Sequence, residues 1–426
     1  MQQVARLAYN RAMSVFEISA LLLTLAALFS YLNYRFIRLP TTIGLMLISL
    51  IFSLALIAFS NLGFDWESGA RRFMSQIDFS QTLMQGMLSF LLFAGALHVN
   101  FESLMRHKWT VSVLATAGVL LSTLMIGTAM YWVLDWIGVP LPFLYCLIFG
   151  ALISPTDPIA VLGLLRQVGA PESLETKIAG ESLFNDGVGV VVFLVIYEVL
   201  TGARAFDAAH VGELLLQEAL GGILLGLVLG WITFRLLKSI DNYQVEILLT
   251  LALVSGGYAL ASALHVSGPL AIVAAGLLIG NHGRHFAMSG RTRDHLDTFW
   301  ELVDEVLNAV LFVLIGLEIL ILRLIPSYLL AGVIAVPVVL SARFVSVGST
   351  VSIFRLVRDF SPHAVKILTW GGLRGGISVA LALSLPGGPQ RDLLLTATYA
   401  VVVFSILVQG LTIPFLLRKS IQAQQP

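Results

Sequence analysis

The chain has 426 residues, of which 58% are hydrophobic and only 12% charged, and its mean hydropathy of +0.90 excludes a water-soluble globular fold. Its 25 basic residues balance 25 acidic ones, so the overall charge gives no pointer to a polyanionic partner, and neither nucleic acid nor a cofactor is expected. Cys146 is the sole cysteine, which excludes an intramolecular disulfide and a multi-cysteine metal site.

Apolar runs of roughly 18 or more residues, each able to cross a hydrocarbon layer about 30 Å thick as a helix, recur almost from end to end. Lipid offers the backbone no hydrogen-bond partner, so such segments must be helical, and the alternation of a barrel is absent. The first 15 residues are too polar for a signal-peptide core, and the stretch beginning at Phe16 reads as a retained first span. In chain order the spans fall at roughly 16–34, 41–59, 82–100, 109–137, 140–165, 178–200 and 213–234. Six more follow at roughly 245–263, 267–280, 301–322, 326–354, 364–386 and 393–417, and the ninth is short enough that merging it with the eighth would change the count. One set of alternate loops holds sixteen Lys and Arg residues, among them Arg35, Arg38, Arg106 and Lys108, whereas the other set holds seven. That bias favours thirteen spans with the C-terminus in the cytoplasm. The whole chain, 1–426, is then one membrane domain.

Charged side chains near a bilayer centre cost about 2.5–3.5 kcal/mol each, so the few found there are functional candidates. In the fifth span the string GALISPTDPIAV places Asp157 in mid-membrane between Pro155 and Pro158. Two prolines break the helix and free backbone groups beside Thr156 and Asp157, which reads as an ion site, or else as a plain kink with a hydrogen-bonded Asp. In the sixth span, GESLFNDGVGVVVF puts Glu181, Ser182, Asn185, Asp186 and Gly189 on one helix face, which must look into the protein. Glu181 taken alone also reads as one half of a helix-end pair with Lys177. In the twelfth span, Arg374 sits between Gly371, Gly372 and Gly375, Gly376, and four glycines either unwind the helix or serve close packing. Arg374 needs an anion, and Glu181 or one of the aspartates is the natural candidate. Arg343, within the eleventh span, and Glu318, near the end of the tenth, read as a structural pair or a funnel lining, and His282, His285 and His295 as solvated loop residues.

The fifth and twelfth spans lie seven helices apart, which gives the two broken helices opposite orientations. That is the inverted-repeat pattern, with spans one to six and eight to thirteen as the repeats. Burying a carboxylate disfavours its charged form and a bound cation restores it, so cation and proton would compete for Asp186. Exchange follows when neither the empty charged site nor the doubly occupied one can cross. Two other classes fit parts of the pattern. An intramembrane aspartyl protease would use Asp157 and Asp186 as a dyad, although its GxGD string is missing and Arg374 would have no role. A cation channel would need a continuous pore and no proton coupling.

SPTDP, ESLFND and GGLRGG, in this order and on these helices, resemble the monovalent cation:proton antiporters of the NhaP and sodium/proton exchanger type. The resemblance implies that Asp186 binds cation and proton, and that Ser182 and Thr156 add ligands to a transported Na+. It implies that Asp157 and Asn185 complete the site, Asn185 heading an Asn-Asp pair that marks electroneutral exchange, and that Glu181 bonds Arg374. Na+, Li+ or K+ and H+ would be the substrates. A homodimer is implied, with scaffold and dimerisation helices at 16–100 and 245–322, a moving core at 109–200 and 326–417, and a connecting helix at 213–234. The chain departs from some relatives at LLFAGAL in the third span, where Ala94 and Gly95 replace an acid. The short tail points to a prokaryotic cytoplasmic membrane.

Overall fold

The computed structural model describes residues 13–62, 66–158, 161–163, 165, 172–202, 208–283, 290–355 and 363–422, and all regular elements among them are helices. In chain order they are α1 (Val15–Ile37), α2 (Thr41–Asn61), a short surface helix (Trp66–Ser75), α3 (Phe79–Leu97), α4 (Phe101–Trp136), α5 (Phe143–Ile153), α6 (Glu172–Leu200) and α7 (Ala208–Leu237). The second half has α8 (Tyr243–Ala263), α9 (Gly268–Gly283), α10 (Gly290–Leu317), α11 (Pro326–Phe354), the pair α12a (Ala364–Trp370) and α12b (Gly376–Leu383), and α13 (Pro389–Leu417). Every predicted span therefore has a helix or a helix pair at its place. Nine of the described helices are long and apolar enough to cross a membrane. The other predicted spans fall short for physical reasons: α5 stops before the Pro155–Pro158 segment, α12 is divided at its glycines, α9 is short, and the first half of α10 is charged.

Local chemistry sets the boundaries. Ser14 and Glu17 form a capping box at the start of α1, and the side chains of Asp78, Asn242 and Ser267 cap α3, α8 and α9. Asn33 ties off the end of α1 by accepting from Leu39 N at 3.2 Å and donating to Leu39 O at 2.8 Å. Between α8 and α9 the chain passes through His265 at φ 54°, so these two are separate helices and do not merge.

The packing repeats itself in the inverted sense. Across the two halves α3 packs on α9, and α10, the counterpart of α3, packs on α2, the counterpart of α9. Likewise α4 packs on α6 as α11 packs on α13, and α4 and α11 pack on each other at the centre. The breaks of α5 and α12 meet there. The amide of Asp157 donates to the carbonyl of Leu373 at 2.8 Å, and the two residues form an isolated antiparallel bridge where the broken segments cross. The outer helices α1 and α7 bury little of their apolar surface, as expected of faces turned to lipid.

Candidate ion-binding site

An interrupted helix leaves terminal amides and carbonyls without intrahelical partners, and inside a membrane each must find another. At the crossing these partners are two arginines. Arg374, in the break of α12, donates to the carbonyls of Ser154 and Pro155, the oxygens orphaned where α5 stops. Arg343, on α11, donates to the carbonyl of Leu368 in α12a at 3.3 Å and forms a buried ion pair with Glu181 of α6. The cations also oppose the partial negative charge at the ends of α5 and α12a.

This corrects the expectation that Glu181 bonds Arg374. Arg374 is taken up by the carbonyls of the α5 terminus, and Glu181 is left to Arg343. The suggested pairing of Arg343 with Glu318 falls with it. Glu318 is buried at the far end of α10, near Arg391 and Tyr399, and neither of its carboxylate oxygens has a hydrogen-bond partner. Of the three histidines, His295 stacks on Tyr243 with ring centroids 4.4 Å apart, and His285 lies outside the described residues.

Around the α5 break the predicted polar residues come together. The Oδ1 of Asn185 accepts from Thr156 N at 3.2 Å, and its Nδ2 donates to Thr156 Oγ1 at 2.8 Å. Thr156 Oγ1 and Ser182 Oγ are hydrogen-bonded at 2.9 Å. Asn185 thus acts as a bracket that holds the unwound strand of α5 against α6, and it is wholly buried. Close approach of the two segments requires Gly189, where an added Cβ would overlap the ring of Pro155. Asp186, 7% exposed, follows Asn185 and lines a cavity of about 750 Å³ shared with Thr156, Asp157 and Pro158.

The cavity is also lined by the exposed residues Arg38, His98, Glu301 and Glu305, at or near the ends of α1 and α3 and on α10, on the side of the Lys- and Arg-rich loops. It therefore leads from a mouth with both acids and bases to two carboxylates and a cluster of hydroxyl and amide oxygens. Such hard oxygen donors suit a small monovalent cation, and the carboxylates can alternatively hold a proton.

Two glycines of the α12 break are fitted to these charges. A Cβ at Gly375 would overlap the Asp157 carboxylate, and one at Gly372 would come within 2.8 Å of Arg343 Nε. Gly375→Ala is therefore expected to push the crossing apart, to lower stability by roughly 1–3 kcal/mol and to cut transport sharply. Gly387→Ala, where an added Cβ meets nothing within 4 Å, should change neither. Thermal midpoints and flux of the two purified variants check this.

Sequence reasoning passed over Ser405 and Gln409. Ser405 Oγ accepts from Arg374 N at 2.9 Å and donates to Gln409 Oε1 at 2.8 Å, while Gln409 Nε2 donates to Trp370 O at 2.9 Å. These bonds satisfy the other side of the α12 break. The signal was present as two polar residues one turn apart in an apolar run, at a widened turn of α13. Arg343 also carried a signal, because it and Arg374 are the basic residues left inside spans.

Two broken helices that cross, with carboxylates lining a cavity beside the crossing, are the architecture of secondary transporters built from inverted repeats. The family model described as "Sodium/hydrogen exchanger, transmembrane" matches residues 22–419. The Na(+)/H(+) antiporter NhaP of Pseudomonas aeruginosa is 52% identical over 415 residues, 96% of this chain and 98% of that protein. The Na(+)/H(+) antiporter NhaH of Halobacillus dabanensis is 36% identical over 393 residues, 90% of this chain and 93% of that protein. Among solved structures, the sodium proton antiporter MjNhaP1 from Methanocaldococcus jannaschii at pH 8 shares the fold, with a TM-score of 0.73 at 20% identity over 96% of this chain and 99% of that one. The chain belongs to the sodium/hydrogen exchanger family.

Proposed function

We propose that the protein exchanges Na+, with Li+ or K+ as alternatives, for H+ by alternating access, and that the two ions compete for Asp186. The observation that carries this reading is the placement of Asp186 beside the Thr156–Ser182–Asn185 cluster at the floor of a cavity that reaches one side of the molecule. Family membership supports it over the two alternatives from the sequence, a channel and a protease.

In this reading Asp186, Ser182 and Thr156 hold the transported cation, with Asp157 beside it, and the Glu181–Arg343 pair keeps α6 and α11 moving as one body. The core is 109–200 with 326–417, and it moves against the scaffold helices 16–100 and 245–322, with 213–234 as connector. The protein works as a homodimer in a prokaryotic cytoplasmic membrane with its C-terminus in the cytoplasm. The basic loops then lie inside, and the cavity faces the cytoplasm.

Exchange is electroneutral, one cation for one proton. Asn185 is neutral and bonded to Thr156, so only one carboxylate of the Asn-Asp pair is available to change occupancy. The test uses proteoliposomes with an internal pH dye and outward Na+, Li+ and K+ gradients in turn. Proton flux that follows the Na+ gradient and keeps its rate at either sign of an imposed membrane potential is the expected result. A rate that changes with the potential would overturn the one-for-one exchange, and no flux with any cation would overturn the antiport itself.

A further inference from the structure

The resemblance leaves one gap in this chain: the third helix carries Ala94 and Gly95 where some relatives have an acid, so α3 adds no carboxylate to the cavity. The structure supplies one from elsewhere. We propose that Asp304 and Asn308 of α10 form a second cation station on the scaffold wall of the cavity, which takes a partly dehydrated alkali cation from the mouth and passes it to Asp186. This rests on the reading of the cavity as the cation path.

Asp304 and Asn308 lie one helical turn apart, on one face of α10, and both line the cavity together with Asp157 and Asp186. Asn308 is only 4% exposed. The amide oxygen of Asn308, Oδ1, is buried and has no hydrogen-bond partner, although the residue lines the cavity. An unmatched buried acceptor costs about 1–3 kcal/mol, and a cation removes that cost without a rearrangement. Asp304 is half-buried, whereas Glu301 and Glu305 in the same lining are exposed and Asp186 is buried, so the pair stands between the exposed and the buried carboxylates of the cavity.

The inner cluster needs such help. The hydroxyls of Thr156 and Ser182 are bonded to each other, and Thr156 Oγ1 also accepts from Asn185, so a cation leaving its hydration shell meets few uncommitted oxygens until it reaches Asp186. Asp304 and Asn308 Oδ1 add hard donors one step earlier. Their place also follows from the repeat, because α10 is the inverted counterpart of α3: the acid absent from one scaffold helix stands on its symmetry mate. Glu301 and Glu305, on the same helix, are exposed, and salt screens their attraction.

The test measures Na+-driven proton flux in proteoliposomes of the full chain against Na+ concentration, for the native protein, Asp304→Asn and Asn308→Ala. The expected result is a half-saturating Na+ concentration raised roughly fivefold or more by Asp304→Asn, with the maximal rate kept within about twofold and the shift retained in choline chloride concentrated enough to screen distant charges. Asn308→Ala shifts it in the same direction by less. Unchanged half-saturation in both variants, a shift that vanishes at high ionic strength, or a loss confined to the maximal rate overturns the station while antiport by the native protein stands. Calorimetric titration with Na+ in detergent reads the station without transport. Weak binding retained by Asp186→Asn and removed by adding Asp304→Asn supports it, and equal heats with and without Asp304→Asn overturn it.

Discussion

Asp186→Asn is expected to abolish cation-driven proton movement in proteoliposomes while leaving the fold intact. The substitution keeps the size of the side chain and its place at the floor of the cavity, but removes the one group of the Asn-Asp pair that can alternate between a proton and a cation. Asn185 cannot substitute, because its amide is committed on both sides to Thr156. Flux through the variant should fall to that of empty liposomes for Na+, Li+ and K+ alike, whereas its thermal midpoint in detergent stays at or above that of the native protein. A neutral amide in a nearly closed site is cheaper to bury than a charge, so the fold has nothing to lose.

The second large effect is on stability. Glu181 and Arg343 are both buried, 1% and 5% exposed, and each is the other's counter-ion. Removing one partner strands the other charge inside the membrane, so Glu181→Gln and Arg343→Met are each expected to cost about 3–5 kcal/mol. Removing both should cost much less than the sum, because no charge is then left unpaired. Unfolding midpoints of the two single variants and the double variant test this cycle, and additive losses would show that the ion pair is not what holds α6 to α11. Arg374 behaves differently: its guanidinium meets backbone carbonyls at the end of α5, and no partner substitution can compensate its loss.

The elements that position the site were legible in the sequence because their chemistry is local. Pro155 and Pro158 must break α5 wherever they sit, and the face carrying Ser182, Asn185 and Asp186 follows from helical periodicity. Asp157 and Gly375 announce two breaks in oppositely directed helices, and a close crossing of two such breaks is what an inverted repeat provides. Partner choice between distant helices was not legible. Glu181 and Arg343 are 162 positions apart, and nothing in either string says that α11, and not the break of α12, brings the nearest guanidinium. The reason appears only in three dimensions: the stopped α5 helix exposes the carbonyls of Ser154 and Pro155, and they take up Arg374. Asp304 was passed over for a related reason. Periodicity shows α10 as a helix with a charged first half, and only the packing of α10 on α2 and α3 turns Asp304 toward the cavity.

The central claim is that cation and proton compete for one carboxylate, and proton release on cation binding tests it most directly. The purified protein, in detergent and a weakly buffered solution with a pH dye, is mixed with Na+ at a pH where Asp186 holds its proton. The account predicts release of about one proton per protomer, saturating with Na+ and absent from Asp186→Asn. Na+ binding without proton release, or the same release from Asp186→Asn, would contradict it.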